Sequence, residues 1–155
     1  MMSYTKIEHK SSRVPEELFC EVTVAPSLLG FEAGKDVALD DRLAIWRQHN
    51  TKFSLTGAIL VSGDGIAIIL EGTALAIGKV RKQMDANPLH GKIQLIANRP
   101  CFKRRFLGWP LAYVGPSRWV QNALADRMLT DMTEESQSDA DFLIDLVLFL
   151  VGDAP

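Results

Sequence analysis

SLTGAILVSGDGIAIILEG, residues 54–72, predicts two apolar strands that a glycine-rich turn folds into a hairpin. The turn Ser62-Gly63-Asp64-Gly65 is of the kind that closes such hairpins. In the second strand both faces are apolar, with Ile66, Ile68 and Leu70 on one and Ala67 and Ile69 on the other. A strand that is apolar on both faces is typical of the centre of a sheet, so we expect other elements of the protein to pack on both sides of it.

The segments around this hairpin predict a sheet with helices on it. Strands are expected at 18–25, 91–98 and 106–114, and helices at 37–51, with Asp36 as its N-cap, and 73–86. In the first helix an inward stripe is spaced by four, three and four residues: Leu39, Leu43, Trp46 and Asn50. The order of elements predicts an α+β fold, a ferredoxin-like βαββαβ arrangement with a fifth strand and C-terminal helices.

Two C-terminal helices are expected at 118–130 and 138–151, and Ser138-Asp139-Ala140-Asp141 resembles the capping box that opens a helix. The first two helices can cover only one face of the sheet, so the apolar terminal helix should close the other, from its own chain or from a partner. We expect a flexible N-terminal arm at 1–16, one domain at 17–116, and a helical extension at 117–155 that packs on the sheet or at a dimer interface.

Composition excludes several classes of protein. The net charge of −2 argues against a protein whose main partner is nucleic acid. The polar N-terminus has no secretory signal pattern, and apolar Phe142 to Val151 is about half the ~20 residues that cross a bilayer, which predicts a cytoplasmic protein without a membrane span. Cys20 and Cys101 lack metal-ligand spacing, so no metal site is expected and both should be free thiols.

Three motifs together point to one family: Trp46-Arg47-Gln48-His49-Asn50, the hairpin that closes on Leu70-Glu71-Gly72, and Arg104-Arg105-Phe106-Leu107-Gly108-Trp109. Their spacing, over about Cys20 to Gly115, resembles the BLUF family of blue-light-sensing flavoproteins. The resemblance implies that FAD or FMN is held noncovalently between the two helices on one face of the sheet. It also implies three polar side chains at the flavin ring: a tyrosine on the first strand, a glutamine on the third and an asparagine ending the first helix.

The chain departs from that pattern where the photochemistry takes place. Asn50 matches the asparagine and, with Arg47 and Thr56, is what the resemblance implies as a residual cofactor site. The position of the glutamine is Ile68, whose alkyl group neither donates nor accepts a hydrogen bond. The position of the tyrosine aligns with Ala25.

Other positions are altered as well. Trp46 stands where the family usually has a small serine, and its indole could occupy the space of the ring. Trp109 matches the tryptophan of the fifth strand that reads out the signal, but Leu111 replaces the methionine that follows. Asn50 also allows a plainer interpretation, as a cap of its own helix. Basic residues at 103–105 are interpreted as solvated charges beside a strand.

These features predict a non-enzymatic regulatory or interaction protein that keeps the BLUF fold and has lost flavin photochemistry. No cofactor is then expected, and the partner would be a second copy or a regulatory protein. A blue-light photoreceptor that binds FAD or FMN at a non-standard site stays open as an alternative. An acylphosphatase-like enzyme on the same scaffold is a further alternative, although that family's glycine-rich anion loop is absent from this sequence.

Overall fold

Five strands and three helices make up the part of the chain that the computed structural model describes, residues 17–25, 36–61, 65–86, 93–115 and 134–151. In chain order these elements are β1 (Leu18–Ala25), α1 (Asp36–Lys52), β2 (Thr56–Val61), β3 (Ile66–Gly72), α2 (Ala74–Ala86), β4 (Gln94–Cys101), β5 (Ala112–Val114) and α3 (Glu134–Val151). The strands form one sheet in the order β4-β1-β3-β2-β5, antiparallel except for the parallel pair β2 and β5. The predicted α+β, ferredoxin-like fold with a fifth strand is confirmed.

The central strand is β3, as its two apolar faces predict. Ile66, Ile68 and Leu70 pack in a cluster with side chains of α1 and α2, and we call this side of the sheet the α1/α2 face. Ala67 and Ile69 pack in a second cluster with side chains of α3, on what we call the α3 face. Because both faces are covered, every residue of β3 is buried.

The terminal helix covers the second face from within its own chain. Ala140, Leu143, Ile144 and Val147 of α3 are buried in the cluster of the α3 face. This is the first of the two arrangements that the sequence left open. The expected arm at 1–16, the turn at 62–64, the domain boundary near 117 and the helix at 118–130 lie outside the described residues.

Three predicted boundaries are wrong. The strand expected at 91–98 is Gln94–Cys101, which extends past Pro100 because β4 is an edge strand that pairs only with β1. The strand expected at 106–114 is only Ala112–Val114. Its first half turns instead, since Trp109 N donates to Phe106 O (2.9 Å), Gly108 has φ 90° and Pro110 lacks an N–H.

The last helix begins at Glu134, four residues before the predicted start. Ser138 therefore lies inside the helix and not at its N-terminus, so the capping-box interpretation is wrong. Asp141, its supposed partner, forms an ion pair with Arg99 of β4. No helix within the described ranges is long and apolar enough to cross a membrane.

Candidate cofactor face of the sheet

The α1/α2 face is where the resemblance places a flavin, and its centre is apolar. Ile68 of β3 lies on this face and is buried. Its direct partner across the β1/β3 ladder is Thr23, whereas Ala25 pairs with Ile66. The register therefore sets Thr23, not the aligned Ala25, beside Ile68, the position predicted for the family's glutamine.

Little space remains in this part of the face. A shallow gap with no enclosed room for a water molecule lies between β1, β3 and the residue that precedes β4. It is lined by Thr23, Val24, Ala25, Ile66, Ile68 and Ile93. Ligand pockets present a few placed polar groups, and among these six lining residues only Thr23 has a polar side chain.

Trp46 is partly buried and packs against the cluster of the α1/α2 face. Leu43, one turn earlier in α1, is fully within the same cluster. The inward stripe predicted for α1 is confirmed for these two residues and for Asn50, while the side chain of Leu39 lies outside the described residues. That the indole occupies the space of the ring stays a prediction.

Asn50 and Arg47 both bind the backbone that leads into β5. Asn50 is 3% exposed, and its Nδ2 donates to Pro110 O at 2.7 Å. Arg47 Nε donates to Leu111 O at 2.9 Å. Gly57 N donates to the preceding carbonyl, Trp109 O, at 3.1 Å.

These bonds hold the carbonyls of residues 109, 110 and 111, and we call them the connector clamp. The clamp shows that the side chain of Asn50 does not cap its own helix. It binds a carbonyl sixty residues further along the chain. One N–H of the Asn50 side-chain amide therefore binds the protein backbone, which fixes the orientation of the amide.

Trp109 and Leu111, the two positions predicted for signal readout, lie on opposite faces of the sheet. Trp109 is partly buried against the cluster of the α3 face. Leu111 is buried in the cluster of the α1/α2 face. The clamped connector thus passes from one layer of the protein to the other within three residues.

Thr56 is separated from Asn50 by the sheet. It pairs with Glu71 across β2 and β3, on the α3 face, and its Oγ1 donates to Glu71 Oε1 at 2.9 Å. Arg104 Nη1 donates to Thr56 Oγ1 and to Glu71 O, both at 3.0 Å. Thr56 therefore belongs to a different polar cluster from Asn50 and Arg47.

Glu71 is the centre of that cluster, which sequence reasoning missed. Its side chain is 1% exposed and also accepts hydrogen bonds from Arg105 N (2.7 Å) and Phe106 N (3.0 Å). Arg104 is accordingly a binding partner and not the solvated charge that the basic run suggested. The available signal was a carboxylate at the end of a wholly apolar strand, since a buried carboxylate requires donors.

A second buried carboxylate, Glu21, lies on the α1/α2 face. Its Oε1 accepts from Arg81 Nη1 at 3.2 Å and from Asn98 Nδ2 at 3.0 Å. The alternation of β1 predicts this inward position, because Glu21 shares a face with Thr23 and Ala25. The group joins β1, α2 and β4 beside the gap described above.

The two cysteines are free thiols, as expected. The pKa of the Cys20 thiol is raised to about 12. Burial is the larger cause, and the nearby carboxylate of Glu71 is the next. Burial likewise raises the pKa of Cys101. Among the described residues no group of three or more His, Cys, Asp or Glu side chains is placed to hold a metal ion.

Comparison with known proteins identifies a family. The model of sensors of blue-light using FAD, the BLUF family, matches residues 31–112. No curated protein matches the sequence.

Among solved structures, the fold is similar to that of BlrB, a BLUF protein, in its dark state, with a TM-score of 0.60, 24% identity and coverage of 72% of this chain and 80% of that chain. Ground-state BlsA gives a TM-score of 0.69 at 13% identity, with 89% and 91% covered. A bacterial light-regulated adenylyl cyclase gives 0.59 at 13% identity, covering 83% of this chain but only 36% of the cyclase chain. At these identities the likeness shows the fold alone.

Proposed function

Since the chain belongs to the BLUF family of blue-light sensors that use FAD, we propose that it is a regulatory protein of this fold that has lost the flavin photoswitch. The observation that carries the proposal is the pairing of Ile68 with Thr23 in the buried α1/α2 face. The family's photochemistry is expected to need a tyrosine hydroxyl and a glutamine amide at these strands. Neither an isoleucine nor a threonine supplies an aromatic electron donor or an amide.

Within the described residues, β1, β2 and β3 contain no tyrosine and no glutamine. The two tyrosines of the chain are Tyr4, in the expected arm, and Tyr113. Tyr113 is on β5, which is separated from β3 by β2. The amide of Asn50, on the correct face, already binds Pro110 O.

The proposed output is a contact with another protein, and we assign the chain no catalytic activity of its own. The adenylyl cyclase of similar fold is much longer, and this chain corresponds to 36% of it. A BLUF-fold protein with this role would act by binding a regulatory partner or a second copy. We propose that it does so in the cytoplasm, without direct contact to nucleic acid.

A second candidate function is a flavin-binding photoreceptor with a non-standard site. It is favoured by Asn50, which keeps the family's residue type and is buried on the correct face. Flavin affinity and photochemistry are separable, because apolar contacts to the ring can supply much of the binding free energy. In that case FAD or FMN would bind without the usual light response.

The test is the ultraviolet-visible spectrum of the purified protein, recorded with and without added FAD or FMN and before and after blue light. We expect either no flavin uptake or a bound flavin without a reversible spectral change. A reversible red shift after illumination would contradict the proposal. Bound flavin without that shift supports the loss of the switch and selects the second candidate for cofactor binding.

Two restoring variants act as positive controls. Both contain Ile68→Gln and Trp46→Ser, with either Thr23→Tyr, as the strand register suggests, or Ala25→Tyr, as the sequence alignment suggests. Recovery of flavin binding in one of them would show that the loss is local and identify the position of the missing tyrosine. The same variants without Trp46→Ser measure how much the indole obstructs the ring.

A further inference from the structure

Two lysines share one aromatic ring on the outer side of the α1/α2 layer, where the end of α1 meets the start of α2. Gly72, shortly before α2, is so close to Leu55, shortly after α1, that a Cβ on the glycine would collide with the leucine side chain. Lys52 Nζ lies 5.8 Å and Lys79 Nζ 5.7 Å from the centre of the Phe53 ring. Two ammonium groups from separate helices are thus held around the same side chain.

This arrangement brings like charges together without a counter-charge. Lys52 and Lys79 are exposed, and within the described ranges neither forms an ion pair with a carboxylate. An aromatic ring stabilises an exposed ammonium group only weakly, and two ammonium groups close together repel each other. A negatively charged group that bound both lysines would relieve this repulsion.

The charge of α2 adds to the positive potential of this surface. The helix has no acidic residue in its first turn, so no side chain there neutralises the positive end of the helix dipole. Lys82 is exposed and lies three residues after Lys79, on the same side of the helix. Because the chain as a whole has a net charge of −2, this cationic surface is a local feature, and it favours an acidic partner.

Two further residues on this side of α2 favour a polypeptide over a simple anion. Leu75, four residues before Lys79, is 71% exposed. Gly78 is exposed, and a Cβ built on it would meet nothing within 4 Å. Glycine inside a helix is less stable than alanine, and no atom of the described ranges requires it here. A helix without a side chain at this point lets another polypeptide approach its backbone closely.

The surface, which we call the basic patch, consists of six residues: Lys52, Phe53, Leu75, Gly78, Lys79 and Lys82. We propose that the basic patch binds an acidic segment of a partner protein. Carboxylates of the partner bind the lysines around Phe53, an apolar side chain packs on Leu75, and the backbone of the partner passes over Gly78. The proposal rests on the proposed function, since it identifies the chemistry of the regulatory partner. A patch of this size is smaller than one side of a standard interface, ~20–30 residues, so the binding is weak.

Fluorescence anisotropy of the full chain with a short fluorescein-labelled peptide of alternating glutamate and leucine tests the proposal. We expect saturable binding at physiological ionic strength. Lys79→Glu should raise the dissociation constant about 5- to 10-fold, because an attraction is replaced by a repulsion. The matched control is Lys103→Glu, the same charge change at an exposed lysine between β4 and β5. It should change the constant less than ~2-fold, since salt screens charges outside the patch.

Gly78→Gln distinguishes a docked polypeptide from a general attraction of anions. The variant keeps the charge of the basic patch and should raise the urea midpoint, because glutamine is the better helix former. It should nevertheless weaken peptide binding at least ~3-fold, since a side chain then covers the exposed backbone. A labelled oligothymidine of equal charge is the competing polyanion, and its binding should be weaker and insensitive to Gly78→Gln.

Absence of peptide binding overturns the proposal. So does tighter binding of the oligothymidine, an equal effect of Lys103→Glu and Lys79→Glu, or peptide binding that Gly78→Gln leaves unchanged. A lower urea midpoint for Gly78→Gln would also overturn it, because another part of the same chain would then pack on the glycine. These outcomes are distinct from failure of the proposed function. A reversible flavin red shift in a protein that binds the peptide would remove the proposed function and leave the basic patch in place.

Discussion

At the scale of one residue, Ser54 forms the C-terminal cap of α1. Leu55 N donates to Asn50 O (2.7 Å) and Ser54 N to Thr51 O (3.1 Å), which is the hydrogen-bond pattern of a Schellman C-cap. The residue in the left-handed position of that motif is usually glycine, but here it is Ser54, with φ 57°. Its side chain makes this conformation unfavourable, and the hydrogen bonds of the cap maintain it.

Ser54→Gly should therefore stabilise the protein by about 0.5–1 kcal/mol, because glycine adopts positive φ without a steric penalty. The gain is limited by the greater freedom of glycine in the unfolded chain. Urea denaturation checks this as a higher midpoint with an unchanged slope. Ser54→Val is the opposite control, since a β-branched side chain should lower the midpoint.

A second single residue, Cys20, should make the stability of the folded protein depend on pH. Burial raises the pKa of its thiol from 9.0 to about 12, so between these values the folded state keeps a proton that the unfolded state loses. The stabilising contribution is complete below pH 9 and is lost as the pH rises through 12. Between these pH values we expect the free energy of unfolding of the natural protein to decrease with pH more steeply than that of Cys20→Ala, by up to ~1.4 kcal/mol per pH unit.

Denaturation at several pH values between these limits measures that difference. Equal slopes for the two proteins would show that the thiol is not linked to folding. Labelling with a thiol reagent gives a second measure, since Cys20 should react only after unfolding while the part-exposed Cys101 reacts earlier.

At the scale of elements, the start of β2 and the end of β3 are hydrogen-bonded to residues 105–109, in the segment that precedes β5. The connector clamp holds the carbonyls of residues 109–111 from α1 and β2. The carboxylate of Glu71, at the end of β3, holds the amides of residues 105 and 106. Gly57 must be glycine at this point, because a Cβ would collide with the carbonyl oxygen of Ile69.

Glu71→Gln should destabilise the protein by about 2–3 kcal/mol. In glutamine an NH₂ group replaces one of the two carboxylate oxygens. It would face Arg105 N at one position, or both Phe106 N and Thr56 Oγ1 at the other, and all of these are donors. Buried groups would therefore be left without hydrogen-bond partners. Thermal or urea denaturation measures the change. The matched control is Glu17→Gln at an exposed position, which should change stability by less than ~0.5 kcal/mol.

At the scale of the whole molecule, one sheet is covered by two unequal layers. The α1/α2 face carries Ile68 and Trp46, and the α3 face is closed by the terminal helix. Exposed ion pairs join α3 to the rest of the protein, Arg99 with Asp141 and Arg105 with Asp145, the second at 3.9 Å. Exposed pairs contribute little, so burial of the apolar side of α3 must hold it in place.

Leu143→Ala should then cost about 2–5 kcal/mol, because the side chain is fully buried and its removal leaves a cavity against the sheet. Leu75→Ala, the same change on the exposed side of α2, should cost less than ~0.5 kcal/mol. Chemical denaturation of the two variants compares them directly. Similar losses would mean that α3 is not a structural layer of the domain.

Much of the architecture could be predicted from local patterns in the chain. The hairpin, the central position of β3 and the stripe of α1 follow from periodicity, and the apolar chemistry at Ile68 is a property of its side chain. Strand limits near residues 91–114 could not be predicted, because hydropathy does not reveal which N–H groups will find partners. There the turn at 106–109 and the edge position of β4 set the limits.

Which polar side chains bind one another was decided by the tertiary structure. Asn50 with Pro110, Glu71 with Arg105 and Thr23 beside Ile68 join residues that are between 34 and 60 positions apart. Periodicity and residue type describe neighbours along one element, so they indicate what each side chain can do but not what it will meet. The apolar side chain at residue 68 could thus be read directly from the sequence. The pairing of Ile68 with Thr23 and the hydrogen bond of Asn50 arise only when distant strands and helices are packed together.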